Sequence, residues 1–212
     1  MARVKALMLG IDGLSYRLFM KCGARSLLAL LDSTFRGVTE NRDIQHPAAA
    51  WASALSGVPV RATSFFQSPP PLPIVEETGA RLVNVPLTDP AAGAVKTPMR
   101  PEFPLEAELS GVEEAVLDLL EAGPVVAGVT ALERLRGYDA CTAYRAIDSL
   151  VRRLVSASEE FIVFSPYGGP LSQGGYDPYG VYLASRPRPR EHDTVKVWEI
   201  GLLFKRIIKN NF

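Results

Sequence analysis

Asp12 closes the apolar run Ala6-Leu7-Met8-Leu9-Gly10-Ile11 and precedes Gly13. A buried strand ending there would deliver a carboxylate to the carboxyl edge of a sheet, where ligands of open α/β folds collect. In that place an aspartate either helps to bind a divalent metal or hydrogen-bonds near the start of the following helix. A second apolar run, Phe161-Ile162-Val163-Phe164, leads into Ser165-Pro166-Tyr167-Gly168-Gly169-Pro170, and no charged group stands in that exit. Glu133 is a further candidate carboxylate, read either as a ligand or as a surface acid beside Arg134 and Arg136. Tyr167, Tyr176 and Tyr179 supply phenols that could fill space and pair with Asp12, Glu133 or backbone groups. His46 and His192 are the two imidazoles of the chain, and His46, in front of Pro47, reads as a local hydrogen-bonding residue. Ser53 and Ser56 have no evident base, so a serine hydrolase finds little support. Cys22 and Cys141 form no C-x-x-C pair, and we expect reduced, buried thiols.

The 212 residues, 47% of them hydrophobic, suit a single domain with a substantial core. Lys+Arg and Asp+Glu both number 23, so the net charge gives no global case for nucleic acid or an anionic membrane. The charge is uneven along the chain. Residues 102 to 121 hold seven acids (Glu102, Glu106, Glu108, Glu113, Glu114, Asp118, Glu121) and no base, whereas 186 to 209 hold seven bases against three acids. Both stretches read first as solvated faces. The opening apolar run is too short to span a membrane and lacks a small-residue cleavage site, so a cytoplasmic protein is expected. Few Asn, Gln, Cys and Met beside plentiful Arg, Glu and Pro is a thermophile-like composition.

Strand and helix patterns alternate. Strands are expected at 4–11, 37–40, 81–85, 125–129, 160–164 and 180–184, and helices at 14–31, 48–55, 112–121, 138–156 and 195–208, with a helical turn at 74–78. Stiff proline-rich connections occupy 67–73 and 88–104. Such alternation implies a three-layer α/β/α sandwich around a mostly parallel sheet.

Several segments resemble, in order, the alkaline phosphatase superfamily, in particular its archaeal type I phosphodiesterase/nucleotide pyrophosphatase branch. MLGIDG resembles the first strand with its metal-binding aspartate, and HPAAAWASALSG the nucleophile helix T-x-P-A-W-T-S-x-x-T-G. LPIVEETGARLVNVPLTDP, TALERLRG, FIVFSPYGGP, YDPYGVYLAS and VWEIGLLFKRI resemble the later motifs, including T-D-R-x-x-H and the strand ending S-D-H-G. The resemblance covers nearly the whole chain. It implies an alkaline-phosphatase-like core, with 97–121 as the remnant of an inserted cap.

The resemblance also implies chemistry. In the family two zinc ions about 4 Å apart clamp a phosphoryl group, activate a Thr or Ser nucleophile and neutralise developing charge. Aspartates and neutral imidazoles suit zinc for this work. Carried onto this chain, Asp12 matches the first aspartate. The nucleophile position falls on Pro47, flanked by His46 and Ala48, and proline has no hydroxyl. The Asp-His pair of S-D-H-G becomes Pro166-Tyr167. Glu133 could stand in for the second-site aspartate, its histidine partner falls on Gly137, and the later histidine falls on Tyr176. Three histidines are needed and the chain has two. A tyrosine ligand would have to lose a proton from a group of pKa about 10.

These residues lead us to expect a non-catalytic phosphodiesterase-like protein of 1–212, without cofactor, acting as a binding or scaffold subunit. The rival is a metal-dependent phosphodiesterase or phosphatase with one divalent metal at Asp12 and Glu133. A third possibility is a subunit of an RNA-containing assembly. The C-terminal helix, with Trp198, Lys205, Arg206 and Lys209, is the expected contact surface, for a protein partner or a second copy ahead of RNA.

Overall fold

A computed structural model describes residues 4–43, 46–135, 139–171, 174–187 and 194–209. Its strands are β1 (Ala6–Ile11), β2 (Phe35–Glu40), β3 (Arg81–Val83), β4 (Val125–Val129), β5 (Glu160–Phe164), β6 (Tyr179–Ala184) and β7 (Thr194–Lys196). Its helices are α1 (Tyr16–Cys22), α2 (Arg25–Ser33), α3 (Pro47–Ser56), α4 (Ala62–Gln67), α5 (Pro73–Thr78), α6 (Leu105–Leu120), α7 (Ala131–Arg134), α8 (Ala140–Ala157) and α9 (Glu199–Lys209).

One sheet runs in the order β3-β4-β1-β5-β6-β2-β7. β1 is the third strand, parallel to β4 and β5 on either side, and β6 is antiparallel to both of its neighbours. All six residues of β1 are buried, as a strand covered on both faces requires. Leu7, Leu9 and Ile11 pack with α1, α2, α6 and α8, while Ala6 and Met8 pack with α3 and α9 on the other face. The period of two along the strand therefore divides one sheet between two cores, and the layered α/β architecture expected from the sequence is observed.

Some local expectations need correction. The helix expected over 14–31 is two helices, because Gly23 adopts φ 65° and closes α1 with its N–H on the Met20 carbonyl. The helix expected over 195–208 begins late. Residues 194–196 instead form β7, parallel to β2, with Val195 and Val197 buried, and Glu199 Oε2 accepts from the Lys196 N–H at the start of α9. α4 occupies a stretch where we expected no element, and Phe65 anchors it in the core. α6 starts at Leu105 rather than 112, with Leu105, Leu109, Val112, Val116 and Leu120 facing the core. Most of 97–121, the stretch expected as the remnant of an inserted cap, is taken up by this helix.

The expectation of reduced thiols is overturned. Cys22, at the end of α1, is joined to Cys141, in the first turn of α8, by a disulfide with Cα atoms 4.8 Å apart. Packing of α1 on α8 brings together cysteines separated by 119 positions, which their spacing could not disclose. Disulfides persist in oxidising compartments and also inside hyperthermophile cells. Because the bridge closes a long loop, its reduction is expected to remove about 2–4 kcal/mol of stability. Thermal melts with and without reductant should show the loss, and a C22A/C141A variant should melt low in both conditions. Among the described residues no helix is long and apolar enough to cross a membrane.

Candidate functional site

The carboxyl end of β1 gathers the candidate residues. Asp12 is fully buried, its N–H donates to the Val129 carbonyl at 2.9 Å, and its Oδ1 accepts from Trp51 Nε1 at 2.7 Å. Trp51 reaches β1 because Gly10 has no side chain: a methyl added there would stand 2.2 Å from the indole ring. Phe164 closes the other side, edge-on to Trp51 at 5.3 Å. Gly10→Ala should accordingly destabilise the protein by about 1–3 kcal/mol through overpacking, measurable as a fall in the urea midpoint.

The loop after β5 is held by Ser165, whose Oγ accepts from the Leu14 N–H at 3.1 Å and donates to the Tyr167 carbonyl. Asn41 Nδ2 donates to the Pro166 carbonyl at 3.0 Å. The Gly168 N–H donates to the Asp177 carbonyl and the Asp177 N–H to the Gly169 carbonyl, which ties this loop to the segment carrying Tyr176. The rings of Tyr167 and Tyr176 therefore meet at 4.5 Å, and the Tyr176 hydroxyl donates to Glu133 Oε1 at 2.5 Å. The structure thus brings Asp12, Glu133, Tyr167 and Tyr176 into one cluster.

Pro47 is the first residue of α3, where a missing N–H is harmless and the fixed φ favours the helix. His46 caps that helix, its Nδ1 accepting from the Ala48 N–H at 3.2 Å, and burial lowers its pKa. Ala48 is buried. Gly137 and His192 lie outside the described residues. Tyr179 does not join the cluster as the sequence reading allowed: it is 41% exposed, and the Arg42 guanidinium lies over its ring at 5.4 Å. Trp198, Lys205, Arg206 and Lys209 belong to the region of α9 and stand apart from the cluster; Lys205 and Lys209 share Glu77 as ion-pair partner.

Electrostatics oppose a charged centre. Burial raises the Asp12 carboxyl to about 8; the Trp51 hydrogen bond works against this, and the carboxylates of Glu133 and Glu108 add to it. The Tyr167 hydroxyl lies close enough to Asp12 to lower its pKa, although among the described residues neither Asp12 Oδ2 nor the Tyr167 hydroxyl meets a partner at full hydrogen-bond geometry. Burial, followed by the Asp12 and Glu133 charges, pushes Tyr167 well above the ordinary phenol value.

A neighbouring network escaped the sequence, where Glu108 read as part of a solvated acidic face and Arg134 only as a neighbour of Glu133. Both are buried, with Arg134 Nη2 2.5 Å from Glu108 Oε2. Glu108 Oε1 also accepts from the Thr130 N–H at 2.6 Å, Thr130 Oγ1 at 2.9 Å and Asn84 Nδ2 at 3.0 Å. Arg134 Nη1 donates to the carbonyls of Arg100 and Phe103, and Asn84 Oδ1 accepts from the Thr97 N–H. One signal was available: 108 falls on the helical face defined by Leu105, Leu109 and Val112.

The donor set does not fit two zinc ions. Two carboxylates are present, each already hydrogen-bonded through one oxygen, and the remaining described ligand positions offer a proline and two phenols. Two tyrosine rings tilted at 51° to each other and an indole occupy the surrounding volume.

No family model and no curated protein matches this sequence. Solved structures do match its fold. Human ectonucleotide pyrophosphatase/phosphodiesterase 5 aligns over 98% of this chain and 95% of its own, with a TM-score of 0.63 at 9% identity. Alkaline phosphatase from the Antarctic bacterium TAB5 aligns over 98% of both chains, with a TM-score of 0.58 at 10% identity. The PH0037 protein from Pyrococcus horikoshii aligns over 100% of this chain and 98% of its own, with a TM-score of 0.57 at 10% identity. Strand order, layering and these alignments together assign the chain an alkaline phosphatase-like, nucleotide pyrophosphatase-like fold.

Proposed function

We propose that the chain is a phosphodiesterase-like protein that has exchanged catalysis for binding. One observation carries this reading: the strand ends that would present ligands and nucleophile instead present a closed, mostly neutral cluster. Pro47 cannot attack a phosphoryl group. Burial favours the neutral form of the Asp12 carboxyl, raising it to about 8, and the Trp51 indole holds one of its oxygens. The Tyr176 phenol donates to Glu133, and the Tyr167–Tyr176 ring pair fills the space beside it. Phosphoryl transfer needs preorganised charge around the transferring group, and a neutral acid among phenols supplies little of it.

The structural neighbours include phosphatases and phosphodiesterases, and the adjacency of Asp12 and Glu133 keeps one rival reading in view, a remodelled enzyme with a single divalent metal. Elemental analysis of protein purified without chelator, paired with hydrolysis of bis(p-nitrophenyl) phosphate in added zinc or manganese, separates the two. The proposal expects no stoichiometric metal and no hydrolysis above background. Two tightly bound equivalents would overturn it. One equivalent, with hydrolysis abolished by Asp12→Ala, would establish the rival.

A further inference from the structure

Two opposed helices carry matching exposed stripes. On α9, Leu202, Lys205, Arg206 and Lys209 follow an i, i+3, i+4, i+7 spacing and line a shallow depression of about 180 Å³. Leu202 is 40% exposed and leans over Gly57, where a methyl would stand 3.0 Å from its Cδ2; Val58, the next residue, is 55% exposed. On α6 and its C-cap, Glu114, Leu117, Asp118 and Glu121 repeat the same spacing with the leucine second rather than first, and Leu117 is 37% exposed. Each stripe is therefore one leucine among three charges, basic on α9 and acidic on α6. Lys205 and Lys209 share Glu77, and Glu121 pairs with Lys5, whereas Arg206, Glu114 and Asp118 have no ion pair among the described residues.

We propose that the α9 stripe of one copy docks on the α6 stripe of the next. The occupant is a second copy because the complementary surface, in charge, spacing and leucine content, is present on this chain. Stacked leucines supply apolar burial, and the opposed charges set register and partner choice. The geometry also fixes the kind of assembly. α6 belongs to the core on one face of the sheet and α9 to the core on the other, so two copies cannot satisfy both contacts reciprocally. The contact is heterologous, and assembly continues to a closed ring or an open stack rather than stopping at a two-fold dimer.

Sedimentation velocity of the full chain over a wide concentration range, at low and high salt, is the test. The expected result is mass growing beyond a dimer at low salt and weakening as salt screens the charges. L202S/R206S removes one stripe and L117S/D118S the other; each should weaken self-association about tenfold or more, as loss of a central contact does. Both pairs are surface substitutions, and unchanged thermal melts would establish intact folding. The decisive arm is mixing. The two variants together retain one intact α9 and one intact α6, so they should form a one-to-one complex that grows no further. A chain that stays monomeric at low salt, association untouched by either variant, or variants that do not pair on mixing would each overturn the proposal. Binding of a single-stranded RNA probe abolished by L202S/R206S, with no self-association, would assign the α9 surface to RNA instead.

Discussion

Arg134→Met is expected to lower stability by about 3–5 kcal/mol, because it strands the Glu108 carboxylate in the core. The side chains of both partners are essentially inaccessible, 1% for Arg134 and 0% for Glu108, so water cannot replace the lost guanidinium. Removing the arginine also frees the carbonyls of Arg100 and Phe103 from their donor, loosening the loop that enters α6. Glu108→Gln alone should be destabilising as well, since its amide must turn a donor toward Arg134 or toward Thr130 and Asn84. The double variant tests the mechanism. In E108Q/R134M the Gln carbonyl can keep accepting from the Thr130 N–H, Thr130 Oγ1 and Asn84 Nδ2, while the amide faces an uncharged methionine. It should recover a large part of the loss, giving a coupling of about 1–3 kcal/mol between the sites. Urea unfolding of the wild type, both single variants and the double variant measures this. Additive losses would show that the two side chains do not act as a pair.

That network helps to hold the Asp12, Glu133, Tyr167 and Tyr176 cluster in place. Glu108 ties α6 to the end of β4 through Thr130, and Arg134 ties α7 to the loop before α6. Glu133, one residue before Arg134, is thereby held where Tyr176 can reach it. A buried ion pair is an expensive way to brace a loop. Here it fixes the strand ends on which the cluster depends.

Much of this architecture was legible before any coordinates. The runs at 6–11, 125–129 and 161–164 carry no polar side chain, as strands covered on both faces require, and the ordered motifs around them carried the fold. The cluster of Asp12, Glu133, Tyr167 and Tyr176 could be read for the same reason: strand ends in such a sheet converge. What stayed hidden depends on contacts across long sequence distances. Cys22 and Cys141 meet only because α1 packs on α8, and no spacing rule reaches across 119 positions. Glu108 looked solvated because six other acids surround it in sequence, although helical geometry set it on the apolar face. The sequence also did not disclose that the Trp51 indole N–H takes one oxygen of Asp12, which depends on Gly10, whose missing side chain lets the ring approach. Residues 194–198 misled through composition, since valines at alternate positions beside a helix serve a strand equally well.

Asp12→Asn should stabilise the protein at neutral and alkaline pH, an uncommon outcome for a fully buried residue at a strand end. In the folded state the Asp12 carboxyl is raised from the ordinary 3.8 to about 8, first by burial and then by Glu133 and Glu108. Between those values the folded protein holds a proton that the unfolded chain has released. Wild-type stability must therefore fall as pH rises from about 4 to about 8, by up to about 1.4 kcal/mol per pH unit from this group, with no contribution from it below that window. Asparagine cannot ionise. Its Oδ1 can accept from Trp51 Nε1 as Asp12 does, and its amide can donate toward the Tyr167 hydroxyl. The variant should match the wild type near pH 4, exceed it by on the order of several kcal/mol near pH 8, and show a flatter pH profile throughout. Urea midpoints at the two pH values decide the matter. An Asn variant weaker than the wild type near pH 8 would mean that the folded protein benefits from a charged Asp12, as a site built around a cation would, and the reading of this cluster as a neutral remnant would fall with it.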